Sequence, residues 1–336
     1  MGWSRPKILP FQNFSMHPAS KVFHYGIELF EGLKAYRGAD NVIRLFRPDK
    51  NMERMIETAN RCEFPDFDGN ELIGCIKKLI SIDRDWVPNS QSSTLYIRPS
   101  MIATEPCIGI GFSNQTKLFV ITGPVGAYYQ TGLKPVSLLA DPQFVRAFEG
   151  GTGYYKMGCN YAPTIQIQLN ALNDHNCQQV LWLYGPEREL TEVGTMNIFI
   201  YWINESGERE LITPSLEKKI VLPGVTRLSL LELTRKKKKF KVTEGRITMS
   251  QIIKALNENR LIEMFGSGTA CVVCPVNKIL YDKEWYEIPT MEQKEPLCLQ
   301  LYSELTDIQY GRKSSDWVEE VVESTNEKDV LSNYNL

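Results

Sequence analysis

The apolar residues of this 336-residue chain come in short runs. The longest, such as Leu118 to Thr122 and Val180 to Tyr184, fall far short of the roughly 20 consecutive apolar residues that a helix needs to cross a bilayer. They must therefore be strands or helix faces buried inside a globular fold, and a transmembrane protein is excluded. No fixed-period repeat is present, which removes solenoids and propellers. The length is about twice that of a typical domain and predicts two domains sharing a cleft.

Hydrophobic spacing supplies the local elements. Val42 to Phe46 alternates like a strand, and Asp49 reads as the N-cap of a helix with Met52, Met55, Ile56 and Ala59 on one face. Thr94 to Pro99 and Lys117 to Thr122 read as strands. Gly126 to Pro135 carries the glycine, proline and polar residues of a boundary. Beyond it, Thr164 to Leu172 has helical spacing, Val180 to Tyr184 and Met196 to Ile203 are buried strands, and Asn204 to Gly207 is a hairpin turn. Leu228 to Leu233 is a helix ending in Lys236 to Lys239, whose cations complement its C-terminal dipole. Thr248 and Gln251 form a capping box for the helix Ile252 to Leu256. The expected architecture is α/β, of the α+β type: a small open domain over 1–128, a linker over 129–135, a large domain over 136–316 with a barrel-like sheet core, and a mobile polar tail over 317–336.

Charge narrows the function. With 38 Lys+Arg against 40 Asp+Glu, the net charge of −2 leaves no positive field for nucleic acid or anionic lipid, so small-molecule partners are expected. Eight irregularly spaced cysteines do not make a disulfide scaffold, and no signal stretch precedes Pro10; a cytoplasmic protein is the expectation.

Familiar nucleotide motifs fail. Gly150 to Lys156 resembles a Walker loop, but Met157 stands where a serine or threonine must reach magnesium, and Gly266-Ser-Gly268 is followed by Cys271 instead of the third glycine of a dinucleotide fingerprint. Three histidines leave little for a triad or a metal site. What stands out is Lys156, set behind small residues and ahead of Gly158, Asn160 and Tyr161. Lysine forms a Schiff base with an aldehyde, and nearby glycines admit a bulky cofactor; an exposed loop lysine is the alternative. Glu192, just before a buried strand, needs a cationic or hydrogen-donating partner, and a protonated pyridine nitrogen is one; a structural salt bridge is the other. Leu222 to Arg227 precedes a helix and offers backbone N–H groups and the Thr226 hydroxyl to a phosphate, and Gly266 to Ala270 offers a second anion-holding turn. Together these features specify pyridoxal phosphate.

The order Gly151 to Tyr161, Leu181 to Pro186, Leu190 to Asn197, Leu222 to Arg227 and Gly266 to Val276, with His24 to Gly32 and Leu95 to Pro99, resembles the branched-chain aminotransferase family of the eukaryotic kind, fold type IV. The resemblance runs from about Pro10 to about Trp317. It implies that Lys156 carries the cofactor and shuttles the substrate Cα proton, that Glu192 pairs with the pyridine nitrogen, and that Tyr161 bonds the phenolic oxygen. It assigns the phosphate to Arg54, Val225, Thr226 and Thr269; helical spacing puts Arg54 opposite the Met52-Met55-Ile56 stripe, so a solvated surface arginine is the alternative there. Tyr25, Phe30, Tyr96, Ile110, Tyr128, Thr195 and Ala270 are implied around the substrate, with Arg98 meeting the distal carboxylate of glutamate or 2-oxoglutarate. Cys271 and Cys274 correspond to a thiol-disulfide pair, with buried structural thiols as the alternative.

The implied activity is reversible, ping-pong transfer of the amino group of leucine, isoleucine or valine to 2-oxoglutarate by a homodimer in which a loop of each subunit completes the other's site. Two departures qualify this. Family members carry an N-terminal strand before the position of Trp3 that lends an aromatic to the pocket, and the acidic ending after Trp317 is unusual. Alternatives are a D-amino-acid aminotransferase or aminodeoxychorismate lyase, which share Lys156 and Glu192 but not Tyr96-Ile-Arg98 or the cysteine pair, and an inactive cofactor-binding redox or interaction protein. A mitochondrial location is the alternative if a leader is missing.

Overall fold

The computed structural model describes residues 2–126 and 133–322, which fall into two compact units, Met1–Ala127 with Asp307–Leu336, and Tyr128–Thr306. In the first unit, helix α1 (Lys21–Tyr25) leads into β1 (Glu28–Phe30), β2 (Leu33–Arg37) and β3 (Ile43–Phe46); α2 (Pro48–Arg61) and α3 (Gly69–Ile82) follow, then the long antiparallel pair β4 (Thr94–Ala103) and β5 (Thr116–Val125). One edge of β4 carries both β1, at residues 100–102, and β2, at residues 95–97; β5 lies along the other. The apolar face of the sheet, with Leu33, Leu45, Leu95 and Ile97, packs against Met52, Met55, Ile76 and Ile80 of the two helices. Helix α2 starts differently from expectation. Asp49 lies in its first turn, and Arg47, in a left-handed conformation with φ 47°, precedes Pro48, whose fixed φ suits the first helical position.

The second unit runs β6 (Val136–Ala140), α4 (Ile165–His175), β7 (Gln179–Tyr184), β8 (Glu189–Val193), β9 (Met196–Ile203), β10 (Arg209–Pro214), α5 (Val225–Lys237), β11 (Lys241–Gly245), α6 (Met249–Asn257), β12 (Leu261–Gly268), β13 (Val272–Tyr281), β14 (Glu284–Glu287) and α7 (Leu297–Gln309). The pairings β9–β12–β13–β6–β7–β8 return to β9 and close a six-stranded barrel, with β10 and β11 extending from β9 and β14 from β13. Closure leaves those strands few unpaired edges and lets their inward residues, among them Leu138, Leu181, Val193, Ile198, Met264 and Val276, form one core. The expected barrel-like core is thus a closed barrel. The capping box forms as read: the Thr248 hydroxyl accepts from Gln251 N–H while the Gln251 side chain accepts from Thr248 N–H.

The chain then returns to the first unit, and here the expected tail needs correcting. Trp317 is buried, Val318–Glu320 (β15) pairs antiparallel with β3, and Val321 joins the core. Polar composition concealed an edge strand anchored by a few apolar residues and by Lys77, whose Nζ lies 2.6 Å from Glu319 Oε2. Most of the expected linker, and the residues beyond 322, lie outside the described residues. Among the described residues no helix is long and apolar enough to cross a membrane.

One buried charge in this fold is separable from any site. Glu263 on β12 caps α7, accepting from Leu297 N–H at 2.6 Å and Cys298 N–H at 2.9 Å. Burial nevertheless pushes its carboxyl above the usual carboxylate range. A raised folded-state pKa contributes stability that is present below the unfolded pKa and lost as pH rises through the folded one. The stability of the wild type relative to Glu263→Gln is therefore expected to fall as pH rises above the usual carboxylate range. Denaturant unfolding at a series of pH values checks this; a pH-independent difference would contradict it.

Candidate active site

Lys156 sits on the loop between β6 and α4, and the loop is locked by its own side chains. Asn160 Nδ2 donates to Thr152 O at 2.8 Å and to Tyr155 O at 2.7 Å, while Thr152 Oγ1 donates back to Asn160 Oδ1 at 2.7 Å. These bonds cross the lysine and fix its backbone. Lys156 is half-buried, and its Nζ donates to Tyr161 Oη at 3.3 Å. A flexible loop lysine is not what this geometry describes. Gly153 is where the loop passes closest to other backbone: a Cβ there would stand 2.9 Å from Ile220 O and collide with Ala147 Cβ. Gly153→Ala is expected to cost about 1–3 kcal/mol, the usual penalty for overpacking, and to lower turnover by displacing the lysine. Denaturation with steady-state assays reads both, and unchanged values would refute the tight fit.

Glu192, on β8 and 2% exposed, is held at both oxygens. Its Oε1 accepts from Leu222 N–H at 2.7 Å, and its Oε2 lies 3.0 Å from Nε of Arg146, whose side chain is itself 2% exposed. Arg146 further reaches Gly153 O and Ile220 O, each at 3.4 Å. One guanidinium therefore ties the glycine-rich loop, the β8 carboxylate and the segment leading to α5. Sequence reading missed Arg146. The one available signal was that a buried glutamate requires a cation, and nothing in the spacing says which.

The turn before α5 is shaped by Asn197 of β9, whose Nδ2 donates to Leu222 O at 2.8 Å, while a Cβ at Gly224 would strike Asn197 Oδ1. Val225 and Thr226 open α5 and are buried; their N–H groups point out of the helix end with no carbonyl partner within the helix. Ser267 pairs with Asn197 across β9 and β12, so the two share a face, and its buried Oγ has no hydrogen-bond partner among the described residues. Thr269, half-buried, and Ala270, exposed, form the following turn, and Thr195 is exposed in the β8–β9 hairpin. Cys271 and Cys274 are buried; Cys271 Sγ lies 3.2 Å from Met196 Sδ. Elsewhere in this unit a cleft of about 1150 Å³, lined by Tyr201, Phe240, Trp285 and Glu263, contains none of these candidate residues.

In the first unit, Phe30, Tyr96 and Arg98 come together. The Arg98 guanidinium lies 4.7 Å from the Phe30 ring centre and 5.2 Å from that of Tyr96, and its Nη2 donates to Tyr96 Oη at 3.0 Å. Its buried Nε has no hydrogen-bond partner among the described residues. Tyr25 donates to Ile108 O, in the loop that exposes Ile110. Arg54 does not lie opposite the apolar stripe of α2, as its position suggested; it is buried with Met52 and Met55. The reason is Glu31, fully buried, which meets Arg54 Nε at 2.7 Å and Nη2 at 2.8 Å in a bidentate pair that Asn51 completes at 2.7 Å. Tyr128 lies outside the described residues.

Known proteins share this arrangement of sequence and fold. The family model described as amino-transferase class IV matches residues 28–279. A cytosolic branched-chain-amino-acid aminotransferase of Caenorhabditis elegans is 56% identical over 327 residues, covering 95% of this chain and 79% of the relative. A mitochondrial branched-chain-amino-acid aminotransferase of Bos taurus is 52% identical over 318 residues, covering 94% and 80%. Among solved structures, the branched-chain amino acid aminotransferases of Thermobaculum terrenum and Escherichia coli superpose with TM-scores of 0.75 and 0.71 at 19% and 20% identity, covering 92% and 91% of this chain and 94% of each of theirs. With the family model matching most of the chain and relatives above half identity along nearly all of it, the chain belongs to the class IV aminotransferase family.

Proposed function

We propose that the chain is a pyridoxal-phosphate transaminase that moves the amino group of leucine, isoleucine or valine to 2-oxoglutarate and back, giving branched-chain 2-oxo acids and glutamate. The carrying observation is the Lys156 loop: a half-buried amine against Tyr161 Oη, in the unit where Arg146 fixes the ionic partner Glu192. Relatives named for this activity at more than 50% identity support the substrate class.

The residues fit the cofactor by their chemistry: a primary amine for the aldehyde, a carboxylate for the ring nitrogen, free N–H groups at the start of a 13-residue helix for the phosphate, and the orphaned Ser267 hydroxyl on the face of Asn197. When bound, pyridoxal phosphate supplies the electron sink that makes the substrate Cα–H acidic. Lys156 Nζ would attach the cofactor through its aldehyde and would move the substrate Cα proton. Tyr161 Oη would hold the phenolic oxygen, and Glu192 would keep the ring nitrogen protonated. Val225, Thr226 and Thr269 would take the phosphate, Arg54 being added to them by the family resemblance alone, and the Thr269 and Ala270 N–H groups would take the α-carboxylate. Arg98 would take the distal carboxylate when glutamate is the donor, and Phe30, Tyr96, Tyr25, Ile110 and Thr195 would meet the substrate side chain. The orphaned Arg98 Nε is a donor left over for that carboxylate.

The same reading makes the protein a cytosolic homodimer in which the loop carrying Ile110 reaches the second subunit's site, and Cys271 with Cys274 a peroxide-sensitive pair. A fall of two titratable thiols with loss of activity after mild peroxide is expected; an unchanged thiol count and activity would remove the pair from the reading. A panel of L- and D-amino acids with 2-oxoglutarate tests the main assignment. Activity on the three branched-chain L-amino acids is expected, whereas activity on D-amino acids alone, or a colourless inactive protein, would replace it with one of the alternatives.

A further inference from the structure

Between β4 and β5 the chain makes a loop whose apolar side chains face outward: Ile108, Ile110 and Phe112 are 65%, 77% and 67% exposed. An apolar loop this open would ordinarily fold back onto the protein or sample many conformations. This one is tied down by α1. Lys21 is 4% exposed, and its ammonium meets three acceptors, Glu105 Oε2 at 2.6 Å, Phe112 O at 2.5 Å and Gly111 O at 3.4 Å. Three acceptors match its three protons, which is what a lysine requires to be buried as a cation. The acceptors lie at the two ends of the loop, so one side chain closes it. The Lys21 N–H also donates to Glu105 O, Ser20 bridges Pro106, and Tyr25, at the other end of α1, donates to Ile108 O at the loop's middle. Asn114 adds two bonds to the Glu105 carboxylate, at 3.2 and 3.3 Å.

We propose that Lys21 is a positioning residue for transamination: by clamping residues 105–112 it presents Ile108, Ile110 and Phe112 in a preformed conformation to the substrate site of a second copy of this chain. The inference rests on the homodimer reading above. The physical gain is preorganisation. Ordering a loop at the moment of association costs about 0.5–1.5 kcal/mol per immobilised side chain, and a loop already clamped has met that cost on folding. A displaced loop would leave the chemistry at Lys156 intact and loosen the apolar boundary of the pocket, so the effect belongs in KM.

The test uses the holoenzyme with Lys21→Met, Lys21→Arg, Glu105→Gln and the double variant Lys21→Met/Glu105→Gln. For Lys21→Met, KM for leucine is expected to rise about tenfold with kcat within about twofold, and amide hydrogen exchange at residues 107–113 to accelerate. Lys21→Arg should restore most of the KM, and the double variant should be no worse than Lys21→Met alone, because Lys21→Met already breaks the ion pair that Glu105→Gln weakens. Unchanged KM and exchange in a folded Lys21→Met dimer would overturn the clamp while leaving the homodimer reading standing. Additive effects in the double variant would overturn it too. Should Lys21→Met not fold, Glu105→Gln carries the same KM and exchange expectations, and its failure to move either refutes the proposal. Wild type sedimenting as an active monomer would instead overturn the homodimer reading, and the proposal with it.

Discussion

Lys156→Ala is expected to abolish transamination, lowering kcat by at least about 10³-fold, with unfolding free energy changed by no more than about 0.5 kcal/mol. The size follows from the side chain's double duty. On the proposed function the same amine would hold the aldehyde and move the Cα proton, so its removal would delete both the attachment and the base. The small effect on stability follows from where the fixing bonds lie. Asn160, Thr152 and Tyr155 hold the loop through groups that do not involve the Lys156 side chain, whose contacts include one bond to Tyr161 Oη. Leucine–2-oxoglutarate assays alongside denaturant unfolding measure both quantities. Retained steady-state activity would refute the assignment of Lys156, and an unfolded variant would refute the independence of loop and amine.

The second large effect is expected at Arg146. Arg146→Leu leaves Glu192 buried without its cation and should cost about 3–5 kcal/mol, the penalty for breaking a buried pair from one side. The activity should fall with it, because the guanidinium also ties Gly153 O and Ile220 O, which border the lysine loop and the approach to α5. Combining Arg146→Leu with Glu192→Leu separates the two effects. Replacing both members of a buried pair by apolar groups is often close to neutral, so the double variant should regain part of the lost stability, less the cost of the unpaired Leu222 N–H. Activity should stay lost, since on the proposed function no carboxylate would remain for the ring nitrogen. A double variant less stable than Arg146→Leu would show that Glu192 is held mainly by other partners.

Parts of the candidate site were legible because their residues are local in sequence. Lys156 and Tyr161 are five residues apart and meet through one turn of a loop, and the small residues around the lysine singled it out once Glu192 and the two anion-holding turns stood beside it. Glu192 was legible as a carboxylate entering a buried strand. Arg146 was not. Its partners lie 7, 46 and 74 residues away, and a lone arginine among Phe144, Val145 and Ala147 carries no periodic signal. Arg54 shows the opposite failure: helical spacing placed it on the solvent side of α2, and the fully buried Glu31, 23 residues earlier, brought it inside. An ion pair can turn a polar helix face inward, and no pattern of apolar residues reports it. The ending misled in the same manner, since Val318–Glu320 reads as polar tail until β3 supplies an edge to pair with.

By itself, the sequence determined most strand and helix types, the shortness of every apolar run, and the candidate residues for the chemistry, because these depend on side-chain identity and on periods of two and 3.6 residues. Tertiary structure alone decided which strands close the barrel, with β6 of residues 136–140 pairing in parallel with β13 of residues 272–281, and which charges find one another. Strand pairing and buried ion pairs join residues far apart in the chain. Their free energy depends on distance and on exclusion of water, and neither exists until the chain has folded.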